Sequence, residues 1–170
     1  MSSLREKGSF WEAKHAGEAI AGFFPKLGGD TRCDVCIIGA GITGVTLAYE
    51  LARNGVDVVL IEADRIGAGA TGGTTAHLDP YSDRYISYLL NSHGVSKTQS
   101  VIESGLESIK RIEDISKMFG IDCDFEKIEG SYIAVNHEEM RFLEKEQEAC
   151  LKFGLSAELK VEPAGPFKAQ

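Results

Sequence analysis

The chain has 170 residues, of which 43% are hydrophobic, so its length allows one domain with a substantial core but not two complete ones. Acidic residues outnumber basic ones by 26 to 18, which gives a formal net charge of −8, and no basic cluster is present. This charge balance argues against nucleic acid and anionic membranes as partners.

The distribution of charge also bears on membranes and cellular location. The longest uncharged stretch, from Val35 to Tyr49, is shorter than a membrane span and contains three glycines. Residues 1–22 carry six charged side chains and no apolar core of the length found in signal peptides. We therefore expect a cytoplasmic protein.

The N-terminal arm, residues 1–32, shows no periodic pattern. Its aromatic residues lie among glycines and next to a proline, which favours a segment anchored by a few rings over a flexible leader. These residues are Phe10, Trp11, Phe23 and Phe24.

Four cysteines raise the question of a metal site or disulfides. Cys33 and Cys36 have the spacing of a chelating pair, but side chains of an extended strand alternate between faces, so the two point to opposite sides. We predict that Cys36 is a small apolar residue buried in a parallel strand, that all four cysteines are thiols, and that no metal is bound.

An apolar strand from Cys33 to Ile38 leads into three glycines with the spacing G-x-G-x-x-G, and an amphipathic helix starts near Ile42. Gly39 allows the tight turn, Gly41 lets the backbone approach a pyrophosphate, and Gly44 lets the helix lie close to the strand. The first amides of the helix have no intrahelical partner and lie at the positive end of its dipole. The pattern predicts a nucleotide-binding turn.

A second apolar strand, Val56 to Ile61, ends on Glu62, about twenty residues beyond the glycines. A carboxylate in this position accepts hydrogen bonds from both hydroxyls of an adenosine ribose and repels a 2′-phosphate. The pattern therefore predicts an adenine dinucleotide without that phosphate, and the alternative is a purely structural turn.

The stretch after Glu62 is rich in glycine and threonine as far as His77. Such a loop offers backbone amides and hydroxyls that can approach a ligand closely, and we favour this interpretation over a plain flexible connection. His77 ends the loop, and a supporting position at a helix start is favoured over a catalytic role.

Helical patterns follow the loop. A short helix is predicted from Asp83 to Leu90, ended by residues 91–94, and a longer one from Lys97 to Phe119, capped by Gly120. The longer helix carries an apolar stripe that we predict to be core. The stripe consists of Ile102, Leu106, Ile109, Ile112, Ile115 and Phe119.

The spacing of apolar residues changes after residue 120. Residues 121–126 alternate apolar with mostly acidic side chains, and residues 131–135 predict a strand. Asn136 and Glu139 form a pattern resembling a capping box, and the helix that they start ends at Gly154. A final short strand is predicted at 159–161. Because a two-stranded parallel sheet has open edges, we expect the chain to be the front of a longer protein.

The motifs resemble the FAD-dependent oxidoreductases of the D-amino-acid-oxidase-like (DAO) family, within which a bacterial subgroup often carries a C-terminal Rieske iron-sulfur domain. Two matching segments, from Val35 to Gly44 (VCIIGAGITG) and from Leu60 to Gly69 (LIEADRIGAG), are shared by many flavoproteins. The segments from Ala70 to Leu78 (ATGGTTAHL) and from Gly120 to Phe125 (GIDCDF) point to the subgroup.

The resemblance implies FAD as cofactor and a small amine or amino acid as substrate, oxidised at a C–N bond by hydride transfer to the flavin. It implies that the glycines hold the pyrophosphate, that Glu62 binds the ribose, that Arg65 lies near the adenosine, and that the loop from Thr71 to His77 runs toward the flavin. The implied cofactor-binding residues are Gly39, Gly41, Ile42, Thr43, Gly44, Glu62, Ala63, Arg65, Thr71, Thr74, Thr75 and His77.

The expected fold is α/β: an incomplete Rossmann-like FAD-binding βαβ unit followed by helices and the start of an α+β substrate domain. We assign residues 33–120 to a partial FAD-binding domain and residues 121–170 to the beginning of the substrate domain. A missing C-terminal portion or partner chain would complete the enzyme. The alternatives are a catalytically inactive nucleotide-binding fragment and an NAD-dependent dehydrogenase. No residue is assigned as catalytic.

Overall fold

The computed structural model describes residue 9, residues 24–81 and residues 84–160. The described residues up to His77 form one compact unit, and those from Leu78 onward form a second. Phe10, Trp11 and Phe23 of the predicted arm lie outside the described residues. The elements in chain order are β1 (Val35–Ile38), α1 (Ile42–Arg53), β2 (Val58–Ile61), α2 (Ile86–Phe119) and α3 (His137–Lys152).

The first unit is a β-α-β arrangement. The two strands pair in parallel, with Val35 opposite Val58 and Ile38 opposite Ile61. Parallel strands need a crossover connection, and α1 provides it. The predicted Rossmann-like βαβ unit is confirmed.

The C-terminus of α1 sets where β2 begins. Gly55 has a φ of +79°, in the left-handed region that favours glycine. Its amide donates to the carbonyl of Ala52 at 3.0 Å, and the amide of Val56 donates to that of Leu51 at 3.2 Å. This pair of bonds is a Schellman cap, which ends the helix and turns the chain back toward the sheet.

The sheet is covered on one face. Ile37 is buried, and its Cγ2 would lie 3.4 Å from a Cβ placed on Gly44 of α1. Cys36 is exposed and Ile38 is 87% exposed, since alternate residues of β1 face away from the helix. The prediction that Cys36 is buried is therefore wrong. All four cysteines are free thiols.

The second unit contains the long helix α2, which begins at Ile86; the predicted start at Asp83 lies outside the described residues. Residues 91–93 are helical, and only Gly94 departs from helical geometry, with φ 78° and ψ 174°. The predicted break over residues 91–94 is thus a kink at one glycine. The buried Thr98 hydroxyl donates to the Gly94 carbonyl at 2.9 Å, one turn beyond the kink. Among the helices of the described residues, none is both long and apolar enough to span a membrane.

The end of α2 is capped as predicted. Gly120 has left-handed φ and ψ of 61° and 36°, and the amide of Ile121 donates to the Ser116 carbonyl at 2.9 Å.

The apolar stripe of α2 is only partly core. Ile102 is 1% exposed, whereas Leu106 is 45% and Phe119 is 58% exposed. The three isoleucines between them are half-buried. The prediction of a fully buried stripe is wrong, because within the described residues α3 packs on α2 around Ile102 and no second layer covers the C-terminal half.

Residues 121–135 contain no strand, so the strands predicted there are wrong. A strand needs a hydrogen-bonded neighbour, and the described residues of the second unit supply none. Side-chain contacts with α2 and with Tyr85 hold residues 121–135 in place instead. Glu113 of α2 bonds Lys127 at 2.8 Å and Lys117 at 2.6 Å, and these bonds lower the Glu113 pKa to about 2. The Tyr132 ring lies 5.3 Å from that of Tyr85.

The predicted start of α3 is confirmed. The Asn136 side chain accepts from the Glu139 amide at 2.9 Å, and the Glu139 carboxylate accepts from the Val135 amide at 2.8 Å. After α3, Gly154 has a φ of +75° and ends the helix as expected. Residues 159 and 160 form no strand, and Val161 lies outside the described residues.

The two helices of the second unit share one core, made of Ile86, Ile102, Ala149, Cys150 and Phe153. For this reason the structure groups α2 with α3, whereas the sequence placed a boundary between residues 120 and 121. The boundaries of the family domains stay a prediction.

A buried carboxylate joins α3 to α2. Glu146 is 3% exposed, and its two carboxylate oxygens accept from the amides of Ile86 at 2.6 Å and Ser87 at 3.0 Å. These amides are in the first turn of α2, where no intrahelical acceptor exists and negative charge is favoured. Glu146 therefore caps α2 from another helix.

We predict that Glu146→Gln lowers the free energy of unfolding by about 1.5 to 3 kcal/mol, because the amide removes the charge and one of two acceptor oxygens. Urea unfolding followed by circular dichroism measures this change. Glu148→Gln is the matched control, since Glu148 is exposed on the same helix. Equal unfolding free energies for the two variants would contradict the capping role.

Candidate functional site

The predicted nucleotide-binding turn follows β1 directly. The Gly39 amide donates to the carbonyl of Ile61 at 2.7 Å, which extends the pairing of the two strands by one bond. Gly39 then adopts a φ of +101°, a conformation that side chains other than glycine strain to reach. The chain therefore leaves the sheet sharply at this residue and enters α1 three residues later.

Gly44 allows α1 to approach the turn. A Cβ on Gly44 would lie 1.9 Å from the carbonyl oxygen of Gly39, a distance at which the helix would have to move. The close contact between helix and strand that the glycine spacing predicts is present.

The first amides of α1 point away from the helix body. The first intrahelical bond runs from the Val45 amide to the Gly41 carbonyl at 3.0 Å. The amides of Thr43 and Gly44 precede it, the first turn holds no acidic residue, and Gly41 has no side chain to cap the helix. The N-terminus of α1 thus offers amide donors and the positive end of a helix dipole to an anion.

The amide of Ile42 has a protein partner: it donates to Oγ1 of Thr71 at 2.9 Å. The same oxygen would lie 3.2 Å from a Cβ on Gly41. The space beside Gly41 that the sequence assigned to a pyrophosphate is therefore shared with the hydroxyl of Thr71.

Glu62 lies against the turn. One carboxylate oxygen accepts from the Ala40 amide at 2.7 Å, and the other accepts from the Asp64 amide at 3.0 Å. The bond from Ala40 is the main cause that lowers the pKa of Glu62 below its usual 4.5. Each oxygen of an ionised carboxylate can accept more than one hydrogen bond, so capacity remains for ribose hydroxyls.

The glycine-rich loop is docked on the same turn. The Gly67 amide donates to the Ala40 carbonyl at 2.9 Å, and the Gly72 amide donates to the Gly67 carbonyl at 2.9 Å. A Cβ on Gly72 would lie 2.7 Å from the Gly67 oxygen, so this tight turn requires glycine. Residues 66–73 form consecutive turns beside the glycines of residues 39–44.

The remaining predicted residues lie farther along the chain. The Thr74 hydroxyl accepts from the amide of Ala76 at 3.2 Å within its own loop. Thr75 and His77 are exposed and make no hydrogen bond in the described part of the chain, and Ala63 and Arg65 are exposed. The structure thus brings the three glycines, Ile42, Thr43, Glu62 and Thr71 together at one turn. The backbone of Ala63 also hydrogen-bonds Glu62, while Thr74, Thr75 and His77 lie farther along the loop.

Sequence reasoning missed three residues of this arrangement. Ala40 is 1% exposed and bonds both Glu62 and Gly67 through its backbone. The small residue between the first two glycines was the available signal. The second and third are Gly67 and Gly72, for which the five-residue spacing in a glycine-rich loop was a clue that the sequence interpretation did not use.

The hydrogen-bond donors and acceptors at this turn fit one half of an adenine dinucleotide. Backbone amides at a helix N-terminus suit a pyrophosphate, and an ionised carboxylate at the end of the second strand suits a ribose diol. Among the described residues, no three His, Cys, Asp or Glu side chains cluster as metal ligands would.

Comparison with known proteins agrees with this geometry. The family described as FAD dependent oxidoreductase (DAO) matches residues 34–167 of the chain. The chain belongs to the DAO family. It matches the putative Rieske 2Fe-2S iron-sulfur protein YhfW of Bacillus subtilis with 35% identity, over 80% of the chain and 27% of YhfW.

Two further relatives have enzyme names. Gamma-glutamylputrescine oxidoreductase of Escherichia coli is 34% identical over 77% of the chain and 30% of that protein. D-amino acid dehydrogenase 2 of Pseudomonas aeruginosa is 45% identical over 34% of the chain and 14% of that protein. This DAO chain spans less than a third of the length of these relatives. No solved structure matches the chain significantly.

We predict that Gly44→Ala lowers the unfolding free energy by about 3 kcal/mol, because the added Cβ forces α1 away from the Gly39 carbonyl. Chemical unfolding followed by far-ultraviolet circular dichroism measures the loss. In the control Gly69→Ala, the new Cβ meets no atom within 4 Å, so stability should change little. A similar effect of both substitutions would show that the close approach is not limiting.

A further prediction for this turn concerns the loss of stability at acidic pH. Because folding lowers the pKa of Glu62, ionised Glu62 stabilises the fold above its usual pKa of 4.5, and this contribution is lost as pH falls below it. The melting temperature of Glu62→Gln should therefore fall less between about pH 6 and pH 3 than that of the wild type. Asp64→Asn, a change of an exposed neighbouring acid, is the control and should follow the wild type. Parallel curves for wild type and Glu62→Gln would refute the assignment.

Proposed function

We propose that the chain is the N-terminal, FAD-binding part of an oxidoreductase that oxidises a C–N bond of an amine or amino acid. The observation that carries the proposal is the hydrogen bond of 2.7 Å from the Ala40 amide to Glu62, because it places a carboxylate on the turn that leads into α1. A pyrophosphate binds amides at a helix N-terminus, and the adenosine ribose next to it binds a carboxylate at the end of the second strand.

Each group of residues has a separate role in this proposal. The amides of Thr43 and Gly44 donate to the pyrophosphate, and Glu62 accepts from the ribose hydroxyls. Thr71 and the residues after it, Thr74, Thr75 and His77, border the cofactor toward the flavin, while Ala63 and Arg65 lie toward the adenosine. The flavin, when bound, supplies the hydride acceptor.

The proposed substrate class rests on relatives. Gamma-glutamylputrescine oxidoreductase and D-amino acid dehydrogenase 2 are named for amine and amino acid substrates. We assign no catalytic residue within this chain.

Two other functions compete with this proposal. An NAD-dependent dehydrogenase would use the same turn and carboxylate, but membership of an FAD-dependent family and the loop docked on the turn through Thr71 favour the longer cofactor. A nucleotide-binding fragment without activity would bind through the same residues, and turnover alone separates it from the enzyme.

The uncovered face of β1 supports a further part of the proposal. Parallel sheets are normally covered on both faces, yet Ile38 is 87% exposed and Cys36 faces solvent. We propose that polypeptide equivalent to the rest of the relatives, in the same or a partner chain, packs on this face. The proposed cytoplasmic location is consistent with four free thiols.

Binding of ADP to the full 170-residue chain, measured by calorimetry, tests the nucleotide site without requiring the flavin half. We expect ADP to bind at least about tenfold more tightly than ADP with a 2′-phosphate, since Glu62 repels the added charge. Glu62→Gln should weaken ADP binding and reduce this preference, while Glu50→Gln on α1 should leave both unchanged. No binding of ADP, or equal binding of the two nucleotides, would overturn the proposal.

A further inference from the structure

The loop of residues 66–73 is attached to α1 by one side chain. The Thr71 hydroxyl accepts from the Ile42 amide at 2.9 Å across 29 residues of sequence. Thr71 is half-buried, and its methyl group lies 4.0 Å from the position of a Cβ on Gly67. The side chain therefore bonds the start of the helix while its methyl group faces Gly67, near the start of its own loop.

This contact takes the place of a local helix cap. The residue before a helix usually supplies a side-chain oxygen for the first free amides. Gly41 occupies that position in α1 and has no side chain, so the helix makes no cap bond of its own. A glycine there allows close approach of the proposed ligand. The missing cap is supplied from the loop by Thr71.

We propose that Thr71 is a positioning residue that assembles the cofactor loop on α1 before any nucleotide arrives. The hydroxyl uses the Ile42 amide and leaves the amides of Thr43 and Gly44 for the ligand. Ordering the loop in advance means that its conformational entropy is lost on folding and not on binding. Assembly of the loop in the nucleotide-free protein does not depend on the proposed function. The tighter binding that should follow from it rests on the proposed nucleotide site.

The proposal also gives Gly41 a second constraint. A Cβ there would approach Thr71 Oγ1 to 3.2 Å, so a side chain at Gly41 would push the hydroxyl outward even without ligand. Gly41→Ala should therefore loosen the loop in the nucleotide-free protein. A turn whose glycine served only to admit a pyrophosphate would show no such effect.

Hydrogen exchange of the nucleotide-free full chain tests the assembly directly. Thr71→Val keeps the shape of the side chain and removes the acceptor oxygen, so exchange of Ile42 and residues 66–73 should accelerate about fivefold to tenfold. Thr71→Ser should keep the wild-type rate. Thr46→Val, a change of an exposed threonine on α1, is the matched control and should not alter exchange in the loop.

Calorimetry with ADP then separates this inference from the proposed function. We expect Thr71→Val to weaken ADP binding about threefold to tenfold and Thr71→Ser to leave it within twofold of wild type. Unchanged exchange in Thr71→Val would overturn the inference whether or not ADP binds. Wild-type protein that binds no ADP would overturn the proposed function, while accelerated exchange in Thr71→Val would still establish the positioning role.

If Thr71→Val does not fold, Gly41→Ala provides the milder test. We expect faster exchange of residues 66–73 in this variant and no change in Gly28→Ala, where the new Cβ meets no atom within 4 Å. Wild-type exchange in Gly41→Ala would refute the proposed contact between the helix start and Thr71.

Discussion

The hydrogen bond between the Ala40 amide and the Glu62 carboxylate connects the two strands of the first unit at their functional ends. Through Ala40, whose carbonyl accepts from Gly67, the same backbone position also holds the glycine-rich loop. The backbone of this one residue therefore positions both the acid and the loop, just before α1 begins. Because both contacts are within the protein, the acid and the loop are held at the turn without a bound ligand.

Local sequence signals predicted the parts of this fold that depend on local interactions. The glycine spacing, the cap at Gly120 and the pair Asn136 and Glu139 each require residues close together in sequence, and the structure contains them. Predictions failed where a residue depends on distant neighbours. Cys36 and Phe119 are apolar residues of types that are usually found in cores. Their burial requires a covering layer that the described residues do not provide.

The residues of the candidate site also differ in whether local sequence predicts their arrangement. The positions of Gly39, Gly44 and Glu62 at the turn follow from spacing alone, because a strand, a turn and a helix fix their relative positions. The bond from Ile42 to Thr71 spans 29 residues, and no periodic pattern reports it. Glu146 was also missed, although its spacing from Ala149 and Cys150 placed an acid on the apolar face of α3. An isolated acid on such a face was the available clue to a buried cap.

Glu146 affects the order in which the second unit can form. It lies 60 residues after Ile86, so the first turn of α2 receives its cap only when α3 has docked. During synthesis, residues 86–119 leave the ribosome well before residue 146, and in that interval the start of α2 has amides without their partner. Closing so long a loop is entropically costly and tends to slow folding. The N-terminal turn of the longest helix is thus expected to be completed late, by a residue made near the end of the unit.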